Sequence, residues 1–154
     1  MSFTSRNGTR GSFQPDGWLI RWFNRRVMSR LRRRGGTFRG LDTVVLGTIG
    51  KKTGEQRFVP VASFPSDGGG WIVVASANGA PRNPAWYYNI AAHPGSVLVQ
   101  LAGKETPVDA EELHGAERAA AWERVIATAP WFRDYAKATD REIPVIRLTA
   151  KPAP

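Results

Sequence analysis

From residue 41 onward, apolar side chains fall at alternate positions or in short runs broken by glycine-rich punctuation, the period of strands rather than helices. Val44, Val45 and Leu46 form one run ending at Gly47, and residues 57–64 resume after a glycine-containing turn, so the two segments read as a hairpin. Asp67-Gly68-Gly69-Gly70 marks a second turn, followed by a buried strand over 71–76. Val97, Val99 and Leu101 alternate, Ala102-Gly103 turns the chain, and residues 105–112 return as a third hairpin-like unit. A last strand is expected over 143–148, with Pro144 near its start, where proline is tolerated.

Helices fill the gaps. Residues 84–92 begin with Asn83 as N-cap and Pro84 at the first helical position, and stop at His93-Pro94. Residues 115–127 place Ala119, Trp122, Val125 and Ile126 on one face, and Pro130 opens a shorter helix through Lys137. About six strands in hairpin order with a few helices indicate an α+β antiparallel barrel or sandwich, not a doubly wound parallel sheet. No G-x-G-x-x-G follows a strand, so a dinucleotide-binding fold is disfavoured.

Upstream of this body, residues 17–34 read as an amphipathic helix. Leu19, Phe23, Val27 and Leu31 recur every four residues with Ile20 and Met28 beside them, Asp16 is the expected N-cap, and Gly35-Gly36 the stop. The segment is too short and too charged to span a bilayer. Two partners suit its stripe: the domain or a second subunit, or a membrane interface, where Trp18 and Trp22 beside Arg25 and Arg26 are at home.

Charge sharpens that division. Residues 1–40 hold ten arginines and one acid, Asp16, out of 22 basic and 13 acidic residues in the 154-residue chain, so residues 41–154 are left with twelve of each. The net charge of +9 therefore belongs to a basic arm, 1–40, on a neutral domain, 41–150, and implies an anionic surface as partner. A nucleic-acid role would require exposed aromatics interleaved with basic residues along a strand face, which the neutral body lacks. No cysteine is present, which excludes a thiol nucleophile or a disulfide framework, and two histidines give little support to a metal site. His93 reads as a helix stop and His114 as a surface cap.

Two segments carry candidate chemistry. Gly50-Lys51-Lys52-Thr53-Gly54-Glu55-Gln56-Arg57 is a cationic turn whose Lys51, Lys52, Thr53 and Arg57 can neutralise and hydrogen-bond phosphate or carboxylate oxygens; a solvated hairpin tip is the bland reading. The second, Ala75-Ser76-Ala77-Asn78-Gly79-Ala80-Pro81-Arg82-Asn83-Pro84-Ala85-Trp86, is a strand end, a long loop and a helix start offering backbone N–H groups and a hydroxyl. Trp86 can wall a planar ring, or simply pack in the core.

Val45-Leu46-Gly47-Thr48-Ile49 leading into the cationic turn, which continues through Phe58-Val59-Pro60, then Ala75 through Trp86-Tyr87, Asp134-Tyr135 and Thr139-Asp140-Arg141-Glu142-Ile143-Pro144 closely resemble the deazaflavin-dependent nitroreductase family of actinobacteria, in order and with nearly the family's spacing from about Leu41 to Leu148. The resemblance implies a split β-barrel related to the flavin-binding split barrels, and coenzyme F420 as hydride donor. It places the cofactor's phosphate region on Lys51, Lys52 and Arg57, with Thr53 in the same turn. The ring then lies against Ser76, Ala77, Asn78, Gly79, Pro84 and Trp86. Tyr135 matches a tyrosine on the acceptor side that orients or protonates substrate, and Ser76 is its candidate partner at the acceptor or ring. Trp131 and Phe132 would close the pocket.

Ala77 stands where relatives often carry lysine, and Ala129, Phe132 and Ala62 replace aromatic or hydroxyl-bearing residues, so activity on nitroimidazoles is not implied. The expected function is an F420H2-dependent reductase passing a hydride to an activated apolar acceptor such as a quinone of the menaquinone type. A non-catalytic deazaflavin or lipid carrier on the same barrel is the alternative. With no signal peptide legible, the protein is expected in the cytoplasm, peripheral on the inner face of the membrane through residues 17–34.

Overall fold

The computed structural model describes residues 3–11, 37, 38 and 40–152. The helix expected over 17–34, with its cap and stop, lies outside them. Seven strands, β1 (Thr37–Phe38), β2 (Leu41–Ile49), β3 (Gln56–Pro65), β4 (Trp71–Val74), β5 (Val97–Leu101), β6 (Lys104–Glu112) and β7 (Val145–Ala150), are joined with three helices, α1 (Ala85–Ala92), α2 (Gly115–Thr128) and α3 (Phe132–Ala138). All strand pairings are antiparallel. β2 pairs with β3, β3 with β4, β4 with β7, β7 with β6 and β6 with β5. β5 then returns to β2 through Val45 opposite Gln100, Leu46 opposite Val99 and Gly47 opposite Leu98, so six strands close into a barrel and β1 extends the start of β2. The expected α+β antiparallel barrel is what the chain forms.

Alternation sorts the strand residues between two cores. Val44, Leu46, Val73, Ala75, Val97, Val99, Val108, Ile146 and Leu148 fill the barrel together with Trp86, Tyr87 and Ile90 of α1. Their neighbours Ile72, Val74 and Val145 face outward and pack with Phe64, Ala121, Val125, Ile126 and Phe132 under α2 and α3. Arg147 holds α2 to the sheet by bridging Glu111 of β6 and Glu117 in the helix's first turn. Pro60 is tolerated inside β3 because β4 pairs with β3 only at Ser63, Phe64 and Pro65, leaving the other edge open at residue 60.

Several boundaries differ from the sequence expectation, most where a contact remote in sequence replaces a local one. β4 ends at Val74 rather than residue 76, since Ala75 N–H bonds Pro144 O while the Ala75 and Ser76 carbonyls accept from the Arg141 side chain. β7 starts at Val145, not residue 143, and runs on to Ala150 beside Val108. Pro84, not Asn83, caps α1, because the Asn83 side chain accepts from Arg141. α3 begins at Phe132 after a tight turn in which Phe132, Arg133 and Asp134 N–H groups bond carbonyls three residues back. On α2 the buried face runs through Ala121, Val125 and Ile126, with Trp122 half-buried and Ala119 exposed.

The position of the α2 face is testable. Ala121→Leu should cost about 1–3 kcal/mol by overpacking the outer core, whereas Ala119→Leu should stay within about 0.5 kcal/mol of the parent in urea denaturation. Equal losses would place the helix face wrongly.

Candidate active site

The loop leaving β4 is the most constrained backbone among the described residues. Ser76 is right-handed (φ −74°, ψ −36°), then Ala77, Asn78 and Gly79 take φ of 45°, 54° and 81° in a single 3₁₀ turn, Ala77–Gly79. A left-handed conformation costs an alanine or asparagine roughly 1–2 kcal/mol each, so surrounding contacts must impose it. Within the turn Gly79 N–H bonds Ser76 O at 2.8 Å and Ala80 N–H bonds Ala77 O at 3.0 Å.

Three neighbours impose it. α3 packs so closely that a Cβ on Gly79 would lie 2.9 Å from Tyr135 O and 3.1 Å from the Ala138 Cβ, so only glycine fits there. The Tyr135 backbone is thereby set against Gly79, while its side chain is half-buried and edge-on to Phe132 at 5.2 Å, with Trp131 on the same cluster. The second neighbour is Arg141, 6% exposed, whose guanidinium donates to Ala80 O, Ala75 O, Ser76 O and Asn83 Oδ1. Burial depresses its pKa from the ordinary arginine value.

The third is the N-terminal strap of residues 3–11, which charge alone groups with the basic arm. Gly8 N–H bonds Pro81 O, Asn7 Oδ1 accepts from Asn83 N–H and from the Tyr88 hydroxyl, and Ser5 Oγ–H bonds Glu142 O. Gly11 passes so near the turn that a Cβ there would clash with Gly79 O. Ser5 N–H also donates to the Tyr87 hydroxyl, which itself donates to buried Glu112; burial and that carboxylate push the Tyr87 pKa above its usual range. No sequence pattern marks the strap, since its contacts are polar, backbone-mediated and remote in sequence. Residues 4–11 mix Thr, Ser, Asn and Gly with Arg6 and Arg10, a composition equally at home in solvent.

The cationic turn lies at the other side of α1. Lys51 N–H donates to Asn89 Oδ1 at 3.0 Å, and the Lys51 ammonium sits 5.8 Å from the Tyr88 ring centroid. Lys51 and Lys52 are exposed, and neither is within ion-pair distance of a carboxylate among the described residues. Arg57 is exposed and pairs with Glu55 at 3.1 Å, while the Thr53 hydroxyl oxygen accepts from Glu55 N–H within its own turn. Lys51 and the 76–83 loop thus meet across Tyr88, whose hydroxyl reaches Asn7 and Asn83. Trp86 is buried with the barrel interior and supports α1 from below; Pro84 is half-buried at the helix start. His93 ends α1 and His114 precedes α2, where it lies 3.5 Å from Glu112.

Asp140 anchors the strap by accepting from Thr9 Oγ–H, Thr9 N–H and Arg10 N–H, and these donors lower its pKa to about 2. A carboxylate depressed in the docked state favours docking above its ordinary value and loses that advantage as pH falls. Amide-exchange protection of Thr9 and Arg10 is therefore expected to be full at pH 5–7, to fade between about pH 4 and 2, and to be absent in Asp140→Asn at neutral pH. Unchanged protection in the variant would show that the strap docks without this anchor.

Comparison with known proteins identifies the family. Residues 18–150 match the family described as F420H(2)-dependent quinone reductase. An F420H(2)-dependent quinone reductase of Mycobacterium tuberculosis strain H37Rv is 31% identical over 149 residues, covering 86% of this chain and 99% of the relative. The solved structure of an F420-H2 dependent reductase superposes with a TM-score of 0.62 at 37% identity, covering 69% of this chain and 92% of that one. The chain belongs to the F420H2-dependent quinone reductase family, oxidoreductases whose cofactor is the reduced deazaflavin F420.

Proposed function

We propose that the chain passes a hydride from F420H2 to a quinone of the menaquinone type, with the cofactor lying across α1 between the cationic turn and the left-handed loop. The observation that carries this reading is the pairing of two exposed lysines free of carboxylate partners among the described residues with a strained loop built from remote contacts. Lys51 and Lys52 match a phosphate and an acidic tail in charge; Arg57 joins them by exchanging its exposed, weak bond to Glu55 for a stronger anion. Thr53 adds a hydroxyl. Ser76, Ala77, Asn78, Gly79 and Pro84 form the flat side of the site, and Trp86 stiffens it from within the barrel.

F420H2 supplies the hydride when bound. What the chain itself must do is orient the acceptor and provide for the negative charge that grows on the acceptor oxygen. The proton or hydrogen bond is assigned to the phenol of Tyr135, on the helix whose backbone packs against Gly79, with the Ser76 hydroxyl assigned to the acceptor or the ring. Trp131 and Phe132 supply the apolar wall that such an acceptor needs. Access to a lipid-dissolved quinone is assigned to residues 17–34 on an anionic, cytoplasmic membrane face; no helix among the described residues is long and apolar enough to cross a membrane.

Each charge-assisted contact contributes about 1.5–3 kcal/mol, so replacing Lys51, Lys52 and Arg57 together by Ala should weaken F420H2 binding at least about a hundredfold in an anaerobic absorbance titration. Wild-type affinity in that triple variant would remove the phosphate placement. Tyr135→Phe is expected to bind F420H2 normally and to lower kcat for a menaquinone analogue by about tenfold or more. An unchanged kcat would assign Tyr135 to packing alone.

A further inference from the structure

Arg141 is set apart from the residues on either side of it. Its chain neighbours turn elsewhere: Asp140 binds Thr9 and Arg10, and Glu142 pairs with Arg118 at 3.0 Å. The guanidinium has no carboxylate within ion-pair distance among the described residues. It is surrounded by four neutral acceptors, all between residues 75 and 83: Nε to Ala80 O at 2.9 Å, Nη1 to Ala75 O at 3.1 Å and Asn83 Oδ1 at 2.7 Å, and Nη2 to Ser76 O at 2.7 Å. Burying a charge without a counter-ion is costly, and an apolar side chain in its place would leave all four acceptors without this donor. That one side chain serves four acceptors around a single turn calls for an explanation.

Geometry supplies one. Two of the carbonyls precede the left-handed turn and two acceptors follow it, so one rigid planar fork fixes the distance between the turn's two ends. Held at that distance, Ala77 and Asn78 take the conformations that neither would adopt by preference. We propose that Arg141 is a positioning residue for hydride transfer, clamping the two ends of the Ser76–Ala80 turn so that its peptide face is preset against the deazaflavin ring. The inference rests on the reading that this loop faces the cofactor. Arg141 itself touches neither ring nor acceptor in this scheme.

The experiment compares full-length Arg141→Lys, Gly79→Ala and Arg118→Gln. A lysine ammonium cannot span the four acceptors, the Gly79 change disturbs the same turn from the α3 side, and Arg118 bonds Ile143 O and Glu142 without touching the loop. For each, the melting temperature, the Kd for F420H2, kcat and KM for a menaquinone analogue, and the absorbance spectrum of bound oxidised F420 are measured. Arg141→Lys and Gly79→Ala are expected to raise Kd and lower kcat by about tenfold or more, leave the quinone KM within about threefold, and return the bound spectrum toward that of free cofactor. Arg118→Gln is expected to lose thermal stability while Kd, kcat and spectrum stay those of the parent.

Wild-type Kd, kcat and spectrum in Arg141→Lys, or the same losses in Arg118→Gln at equal melting temperature, would overturn the proposal. Should Arg141→Lys fail to fold, Asn83→Ala decides, since it removes one acceptor while keeping the guanidinium: a raised Kd with an altered spectrum supports the clamp, and parent behaviour overturns it. The two readings fail separately. Parent protein that does not bind F420H2 overturns both, whereas loss of binding in the lysine-turn triple variant with none in Arg141→Lys overturns only the clamp.

Discussion

β2 is bonded along both edges, to β3 on one side and to β1 and β5 on the other, and this double pairing is the constraint on which the site depends. Closing the sheet fixes where the β2–β3 turn and the end of β4 emerge. α1 then plugs the barrel with Trp86, Tyr87 and Ile90, which leaves Tyr88 and Asn89 turned toward the cationic turn and the strap. A helix locked into a closed barrel cannot slide without emptying the core, so the spacing between the lysines and the left-handed loop is held by hydrophobic packing rather than by polar contacts that water could replace.

The polar contacts choose the shape of the loop. Ala77 and Asn78 oppose their own conformations, and the force that overrides them comes from Arg141, Gly79 against α3, and a strap from the chain's beginning. Strain held in this way is rigid, because relaxing it means breaking several bonds at once. If the loop faces the cofactor as proposed, this rigidity has a direct use in hydride transfer. The reaction tolerates little error in approach, and a floor that is already set spares the entropy of setting it at each turnover.

Much of this is legible in the sequence, and the boundary of legibility is physical. Alternation and glycine punctuation locate the strands because those features arise from the strand's own period and from local turn geometry. The edges of β4, β7 and α1 depart from the local pattern where an Arg141 donor or a Pro144 carbonyl, 58 to 69 residues away in the chain, replaces a local partner. Lys51, Lys52 and the Ser76–Gly79 loop stand out through charge, glycine and resemblance. Arg141 is visible as a letter in a motif, but its role is defined by four acceptors that no local pattern announces. The strap is less legible still, since a stretch of Ser, Thr, Asn and Gly looks the same whether it lies on a protein or in water.

The strap changes what the basic arm is. Residue 11 lies against Gly79, and residues 37 and 38 pair with the start of β2, so both of these described points of the chain are set on the barrel. Because residues 5–9 reach Pro81, Asn83, Asp140 and Glu142 through hydrogen bonds of their own, the strap's place beside the turn is set by contact and not by its covalent connection to β1.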